Sequence, residues 1–360
     1  MKKLFVFATL LGLLLAGCAP ANSIGGTGLA GPGANPTAAA PQGPVSPSQT
    51  AVPGLQAADP AGSTQATSAV QPATPPAMPG LSFPIRAAFY YPWFPQSWNQ
   101  QGMNPFTHYH PSLGFNSQDE PAIIAQQIAA MQYGKIQLGI ASWWGQGHYT
   151  DARFPALLKA GEQAGFYWVA YIESEGQGNP SVAAIRSDLQ YIHDKYASSP
   201  AYLKIGGRFV IFVYADPNDR CGMVDRWTQA NTLGAYLVLK VFSGYKACAS
   251  QPDGWHQYAP DGSIKSVGIS SFTISPGFFK ASEAQLRLAR DLHQWDAAIH
   301  AMIASKADFQ LITTFNEWGE GTAVESASEW ASPSGYGQYL DALHYDGNPP
   351  VSLGLPGPGT

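Results

Sequence analysis

The chain has 360 residues, with 19 Lys and Arg against 24 Asp and Glu, so its formal net charge is −5; 45% of its residues are apolar and 12% aromatic. No cluster of Lys or Arg occurs anywhere along it, and with the acidic balance this excludes nucleic acid as a partner.

The first element is a targeting signal over residues 1–18. Lys2 and Lys3 give it a positive start, and Leu4 to Leu15 form an apolar stretch too short to span a bilayer. It closes on Leu15-Ala16-Gly17-Cys18, which resembles the bacterial lipoprotein cleavage box, with Cys18 as the lipidated residue. The alternative is an ordinary secretory peptide with an incidental Cys18, and both readings export the mature protein. Residues 19–84 are Ala, Pro, Gly, Ser, Thr and Gln with almost no charge. No apolar cluster there could repay the entropy of ordering, so the stretch reads as a disordered tether. Residues 348–360 share that character and read as a disordered tail. The expectation is a monomer held to a bacterial envelope membrane through its N-terminal lipid.

Residues 85–347 remain for one folded domain, a size typical of an α/β barrel. Eight short apolar, β-branched and aromatic runs recur in it: Arg86–Trp93, Gln137–Trp144, Tyr167–Glu173, Arg208–Tyr214, Ala235–Phe242, Gly254–Tyr258, Ser266–Ile274 and Phe309–Phe315. Between the early ones lie amphipathic stretches. Pro121–Tyr133 puts Ile123, Ile124, Ile128 and Met131 on one side, and Ser181–Tyr196 does so with Ile185, Leu189 and Ile192. Buried strands alternating with helices predict a parallel sheet, and eight of them predict a closed (β/α)8 TIM barrel. No Gly-rich dinucleotide fingerprint follows the first run, which weighs against an open doubly wound sheet.

In such a barrel the C-terminal strand ends converge on one face, where the active site sits. Those ends carry Tyr91 and Trp93, then Trp143 and Trp144, then Glu173, Tyr214, and Trp255 with Tyr258; the last run opens into Asn316, Glu317, Trp318, Gly319 and Glu320. Sugar ring faces stack on Trp and Tyr, while their hydroxyls need acceptors and donors, so the face predicts a carbohydrate site. Two carboxylates three residues apart, Glu317 and Glu320, are what acid/base work on a glycosidic bond requires. Of the Trp143–Trp144 pair, strand alternation points Trp144 to the pocket and Trp143 to the core. His108 and His110 flank Tyr109; no third ligand follows at metal spacing, so His110 reads as a sugar-hydroxyl contact or loop packing. Glu325 reads as a loop residue that orients its neighbours. No metal and no organic cofactor is called for. In an oxidising compartment Cys221 and Cys248 read as a disulfide candidate rather than a reactive or metal pair.

These segments together resemble glycoside hydrolase family 99, the endo-α-mannosidases, and more loosely the endo-α-1,3-glucanases of family 71. Phe89-Tyr90-Tyr91-Pro92-Trp93 is similar to the family's opening motif, and Asn116-Ser117-Gln118-Asp119 to its Ser-x-Asp stretch. Ser142-Trp143-Trp144-Gly145 matches closely; Ile172-Glu173 is similar to His-Ile-Glu-Pro-Tyr, and Tyr196 to Tyr202 to Tyr-x-x-His-Pro-Ala-Phe. Thr314 to Glu325 meets the long motif Ser/Thr-Phe-Asn-Glu-Trp-x-Glu-Gly-Thr-x-x-Glu. The resemblance implies a (β/α)8 barrel that cleaves internal α-linkages with retention and without a protein nucleophile. It implies that Glu317, ionised, takes the proton of the sugar's 2-hydroxyl, giving a 1,2-anhydro sugar, while Glu320, protonated, serves the leaving oxygen. Ser174-Glu175 and Tyr171 depart from the family pattern at positions that shape the pocket. The substrate is accordingly expected to be an α-linked oligo- or polysaccharide of mannan or glucan type. A tethered glycan-binding lipoprotein without turnover is the other reading.

Overall fold

A computed structural model describes residues 78–350. Cys18 with its signal, the linker up to residue 77 and the tail from residue 351 lie outside the described residues. Among the described residues there are ten strands: β1 Ile85–Tyr90, β2 Leu138–Trp143, β3 Tyr167–Ile172, β4 Lys204–Ile205, β5 Arg208–Val213, β6 Tyr236–Lys240, β7 Gly254–His256, β8 Ile264–Ser266, β9 Ser271–Ile274 and β10 Phe309–Ile312. The helices are α1 Pro121–Tyr133, α2 Tyr149–Ala164, α3 Val182–Lys195, α4 Cys221–Ala230, α5 Leu292–Ser305 and α6 Gln338–His344.

Around the sheet the order is β7, β6, β5, β3, β2, β1, β10, β9, β8, with β4 attached to β5. Every pair from β7 round to β9 is parallel. The first and last strands adjoin, Ile85 opposite Phe309 and Ala88 opposite Ile312, so the sheet curls on itself. Parallel strands are buried on both faces, which is why their sequences are continuous apolar runs rather than alternating ones; β1 and β2 are buried at all six positions. Between β7 and β9 no ladder forms among the described residues. There the Ser270 hydroxyl accepts the Trp255 N–H at 2.6 Å and donates to the Trp255 carbonyl at 2.8 Å.

The helices follow local signals. Proline opens α1, where the missing N–H costs nothing. The Ser181 and Asp291 side chains cap α3 and α5 by accepting main-chain N–H groups. Helix α1 turns Ile124, Ile128 and Met131 inward as expected, and Gln127 with them. Two differences from the expected strands have simple causes. Ser266–Ile274 is a hairpin rather than one run: the chain reverses through Gly268, at φ +64°, and β8 pairs antiparallel with β9. Gly206 and Gly207, both at positive φ, likewise fold β4 back on β5. Cys221 opens α4 and is disulfide-bonded to Cys248, Cα to Cα 5.2 Å, tying that helix to the β6–β7 connection.

Candidate active site

Beyond β10 the chain leaves the core and folds into a tight loop. The Thr314 N–H donates to the Thr322 carbonyl and the Val324 N–H to the Thr314 carbonyl, both at 3.0 Å, while the Thr314 and Thr322 hydroxyls meet at 3.0 Å. Phe315 donates to the Phe89 carbonyl at 2.8 Å, and Asn316 continues the strand pairing with its side chain. Its Oδ1 accepts the Tyr91 N–H at 2.7 Å and its Nδ2 donates to the Tyr91 carbonyl at 3.1 Å. Asn316 thereby fixes Tyr91 against the loop and does not itself face the pocket. Two glycines are obligatory here. At Gly319 a Cβ would lie 2.8 Å from the Phe106 ring, and at Gly321, with φ +66°, one would lie 2.5 Å from the Phe279 carbonyl.

The loop presents Glu317 and Glu320 together. Glu317 Oε1 accepts the Glu320 N–H at 3.1 Å, and Glu320 Oε2 accepts the Tyr258 hydroxyl at 2.7 Å. Tyr258 in turn meets Tyr91, and Tyr91 packs edge-on against Trp93, whose ring lies 6.3 Å from that of Trp144. The Trp93 indole N–H donates to the Ser142 hydroxyl at 3.0 Å, and Ser142 bonds Glu173. Tyr214 completes the wall beside Tyr171, with the Lys240 ammonium 4.4 Å over its ring. Glu317, Glu320, Tyr91, Trp93, Trp144, Glu173, Tyr214 and Tyr258 thus line one mouth at the C-terminal ends of the strands.

Charge in this mouth is costly. Burial pushes the Glu317 carboxyl well above its usual range, and the neighbouring charges of Glu320 and Glu173 push it further. Burial also raises Glu320, whose carboxylate lies deep although the residue keeps some exposed surface; the Tyr258 hydroxyl, Lys280 and Arg287 pull it partly back. Both carboxyls of the pair are thus raised, chiefly by burial. Glu173 is raised to about 8 by burial, against the Ser142 hydrogen bond, and one of its oxygens has no partner. Burial lowers Lys240 to about 8, opposed by Asp216, Asp219 and Glu173.

Three expected contacts lie elsewhere. Trp255 alternates with the inward-facing His256 on β7, so its ring turns outward to Phe242 and Tyr245, and its indole N–H donates to Gln251. Trp318 is buried under the loop, stacked on Trp330, with its indole N–H donating to Glu325. His110 is exposed and bonds Glu329 at 2.7 Å. Among the described residues no group of three or more His, Cys, Asp or Glu side chains is placed to hold a metal ion. Sequence reasoning missed Ser142, Lys240 and Lys280. A Lys ending the apolar run of β6 was a readable signal for Lys240. Lys280 reaches the pair only because the Phe279 and Ala281 N–H groups bond the Glu320 and Gly319 carbonyls, a long-range pairing that no local pattern announces.

A rolled parallel sheet with a buried carboxylate pair and an aromatic wall at its C-terminal mouth defines a (β/α)8 barrel with a carbohydrate-type site. Residues 87–237 match the family model described as glycosyl hydrolase family 99, which bears out the resemblance read from the motifs. The matched segment ends in β6, ahead of the Glu317–Glu320 loop. The chain is 23% identical over 267 residues to a glycoprotein endo-alpha-1,2-mannosidase of Xenopus laevis, covering 61% of this chain and 58% of that protein. It is 22% identical over 282 residues to a glycoprotein endo-alpha-1,2-mannosidase-like protein of Homo sapiens, covering 65% and 60%. It therefore spans about three fifths of the length of these relatives. The solved family 99 endo-alpha-mannosidase of Bacteroides thetaiotaomicron superposes with a TM-score of 0.58 at 21% identity, over 72% of this chain and 95% of that one, and shows the shared fold.

Proposed function

We propose that this protein is a retaining endo-α-glycosidase of the endo-α-mannosidase type. The observation that carries the reading is the buried Glu317–Glu320 pair, joined through the Glu320 N–H and the Tyr258 hydroxyl beneath a mouth walled by Tyr91, Tyr258 and Glu173. In the proposed reaction Glu317 takes the proton of the substrate's 2-hydroxyl, whose oxygen attacks the anomeric carbon. Glu320 gives its proton to the departing glycosidic oxygen, leaving a 1,2-anhydro sugar. Water, deprotonated by Glu320, then opens that ring at the anomeric carbon, and Glu317 returns the proton to the 2-oxygen. The chemistry needs the proton on Glu320 at the first step. A 2-hydroxyl donating to Glu317, with a leaving oxygen set to accept from Glu320, favours that placement in the complex.

Reducing-end release from defined α-mannans and α-glucans, with the product anomer read by NMR, tests this reading. Cleavage with retention is expected; a domain that binds these glycans and releases no reducing ends overturns it. The chain is also proposed to be exported and lipid-anchored, on the strength of Lys2, Lys3, the apolar stretch to Leu15 and Cys18. Loss of metabolic palmitate labelling in Cys18→Ala is the expected result, and unchanged labelling would refute the anchor.

A further inference from the structure

The residue between the two carboxylates is held from outside the pocket. Trp318 is buried, its ring stacked on Trp330 with centroids 6.0 Å apart, and its indole N–H donates to Glu325 Oε2 at 3.2 Å. The other Glu325 oxygen accepts the Gln127 side-chain N–H of α1 at 2.9 Å, and Gln127 Oε1 accepts the Tyr90 hydroxyl of β1 at 2.5 Å. The Glu325 main chain is pinned as well: its N–H donates to Phe315 at 2.9 Å, and its carbonyl accepts the Trp330 indole N–H at 3.0 Å. Glu325 is only 3% exposed. A buried carboxylate aimed away from the pocket stabilises little by itself, because its desolvation offsets the bonds it accepts. What it provides is a fixed point for the loop.

We propose that Glu325 is a positioning residue for the carboxylate pair: by accepting the indole of Trp318 and the amide of Gln127, it locks the segment between Glu317 and Glu320 to helix α1. Glu317 and Glu320 each follow or precede Trp318 by no more than two residues, so a turn of the indole displaces both. Displacements of that order cost about a hundredfold in rate in positioned reactions. The inference rests on the hydrolase reading above. Burial raises Glu325 to about 7, against the Gln127 and Trp318 bonds. The groups turned toward it are Gln127 of α1 and Trp318 and Trp330 of the loop; the Tyr90 hydroxyl of β1 stands one step behind, with Arg153 of α2 acting on that tyrosine.

Three proteins test it, each assayed at the same interval below its own melting temperature: wild type, Glu325→Met and Glu325→Gln. Glu325→Met, similar in length but without an acceptor, is expected to lose at least tenfold in kcat with KM within about threefold. Glu325→Gln, which can still offer an oxygen to Trp318 once Gln127 turns over, is expected to recover most of that loss. In wild type the Trp318 indole N–H resonance, assigned with Trp318→Phe, should titrate with a midpoint near the carboxyl's pKa of about 7, and this titration should vanish in Glu325→Gln. Equal kcat in wild type and Glu325→Met overturns the inference while leaving the hydrolase reading intact. A wild type that cleaves no glycan overturns the hydrolase reading, and the indole titration still shows whether Glu325 holds Trp318.

Discussion

The two ends of the barrel handle buried charge in opposite ways. At the end where the strands begin, Arg86 of β1 donates to the Leu343 carbonyl and to Asp346, both at 3.2 Å, and Lys135 bonds Asp346 at 2.6 Å. Burial works against the Asp346 charge, but Lys135 and Arg86 win, and the carboxyl stays below its usual range. At the mouth, Glu317, Glu320 and Glu173 form no ion pair among the described residues, and all are pushed upward. A cavity of about 620 Å³ opens at the satisfied end, beside Arg86 and Gln310. What marks the mouth is carboxyls that burial pushes upward. Stability lies at one end and chemistry at the other, as barrels of this kind arrange them.

The comparison breaks most readily at the mouth. Glu320→Gln should lower kcat by about a thousandfold, the scale of a lost general acid, while isothermal titration still shows glycan binding. Loss of binding alone, with kcat kept, would move the acid elsewhere. Next in size is the disulfide, which closes a 27-residue separation. Replacing Cys221 and Cys248 by Ser should cost about 3 kcal/mol in denaturant unfolding and leave kcat within twofold.

The satisfied end predicts a smaller change of the same kind. Asp346→Ala strands the Arg86 guanidinium and should cost about 1–2 kcal/mol, again without changing kcat. The mouth predicts the reverse sign. Glu173 titrates higher folded than unfolded, so its contribution is complete below about 4.5, the ordinary glutamate value, and is lost as pH rises through about 8. Glu173→Gln should therefore gain on wild type as pH rises from 6.5 to 7.5, by at most about 1.4 kcal/mol. A gap in melting temperature that stays flat across that interval would show that Glu173 keeps an ordinary pKa.

Much of this was legible in the residues, and the failures share a cause. Seven of the eight barrel strands fall inside predicted runs, and β1 begins one residue ahead of its run at Ile85, because both faces of each strand are buried, which leaves a long apolar signature. The hairpin of β8 and β9 escaped because one Gly can reverse a chain without interrupting its apolar character. At the mouth, alternation along β2 gave Trp143 and Trp144 opposite directions: Trp143 bonds the buried Asp151, while Trp144 stands beside Trp93. On β7 the same rule was available and went unused, and Trp255 follows it outward. Lys280 and Gln127 were beyond reach because both act through contacts between segments distant in sequence. Gln127 in particular looks like an ordinary surface residue until α1 is laid against the loop.

The joint between β7 and β9 has its own consequence. Elsewhere around the barrel, neighbouring strands are held by rows of peptide groups that break only together. Here side-chain hydroxyls do the bridging: Ser270 bonds the N–H and carbonyl of Trp255, Thr273 donates to the Gln257 carbonyl at 2.6 Å, and Ser275 to the Pro260 carbonyl at 2.9 Å. Opening of the cylinder by thermal fluctuation should begin along this line, and amide hydrogen exchange would show it as the fastest-exchanging strand boundary. The line ends at Tyr258, the residue that holds Glu320, so this seam of the wall runs into the carboxylate pair.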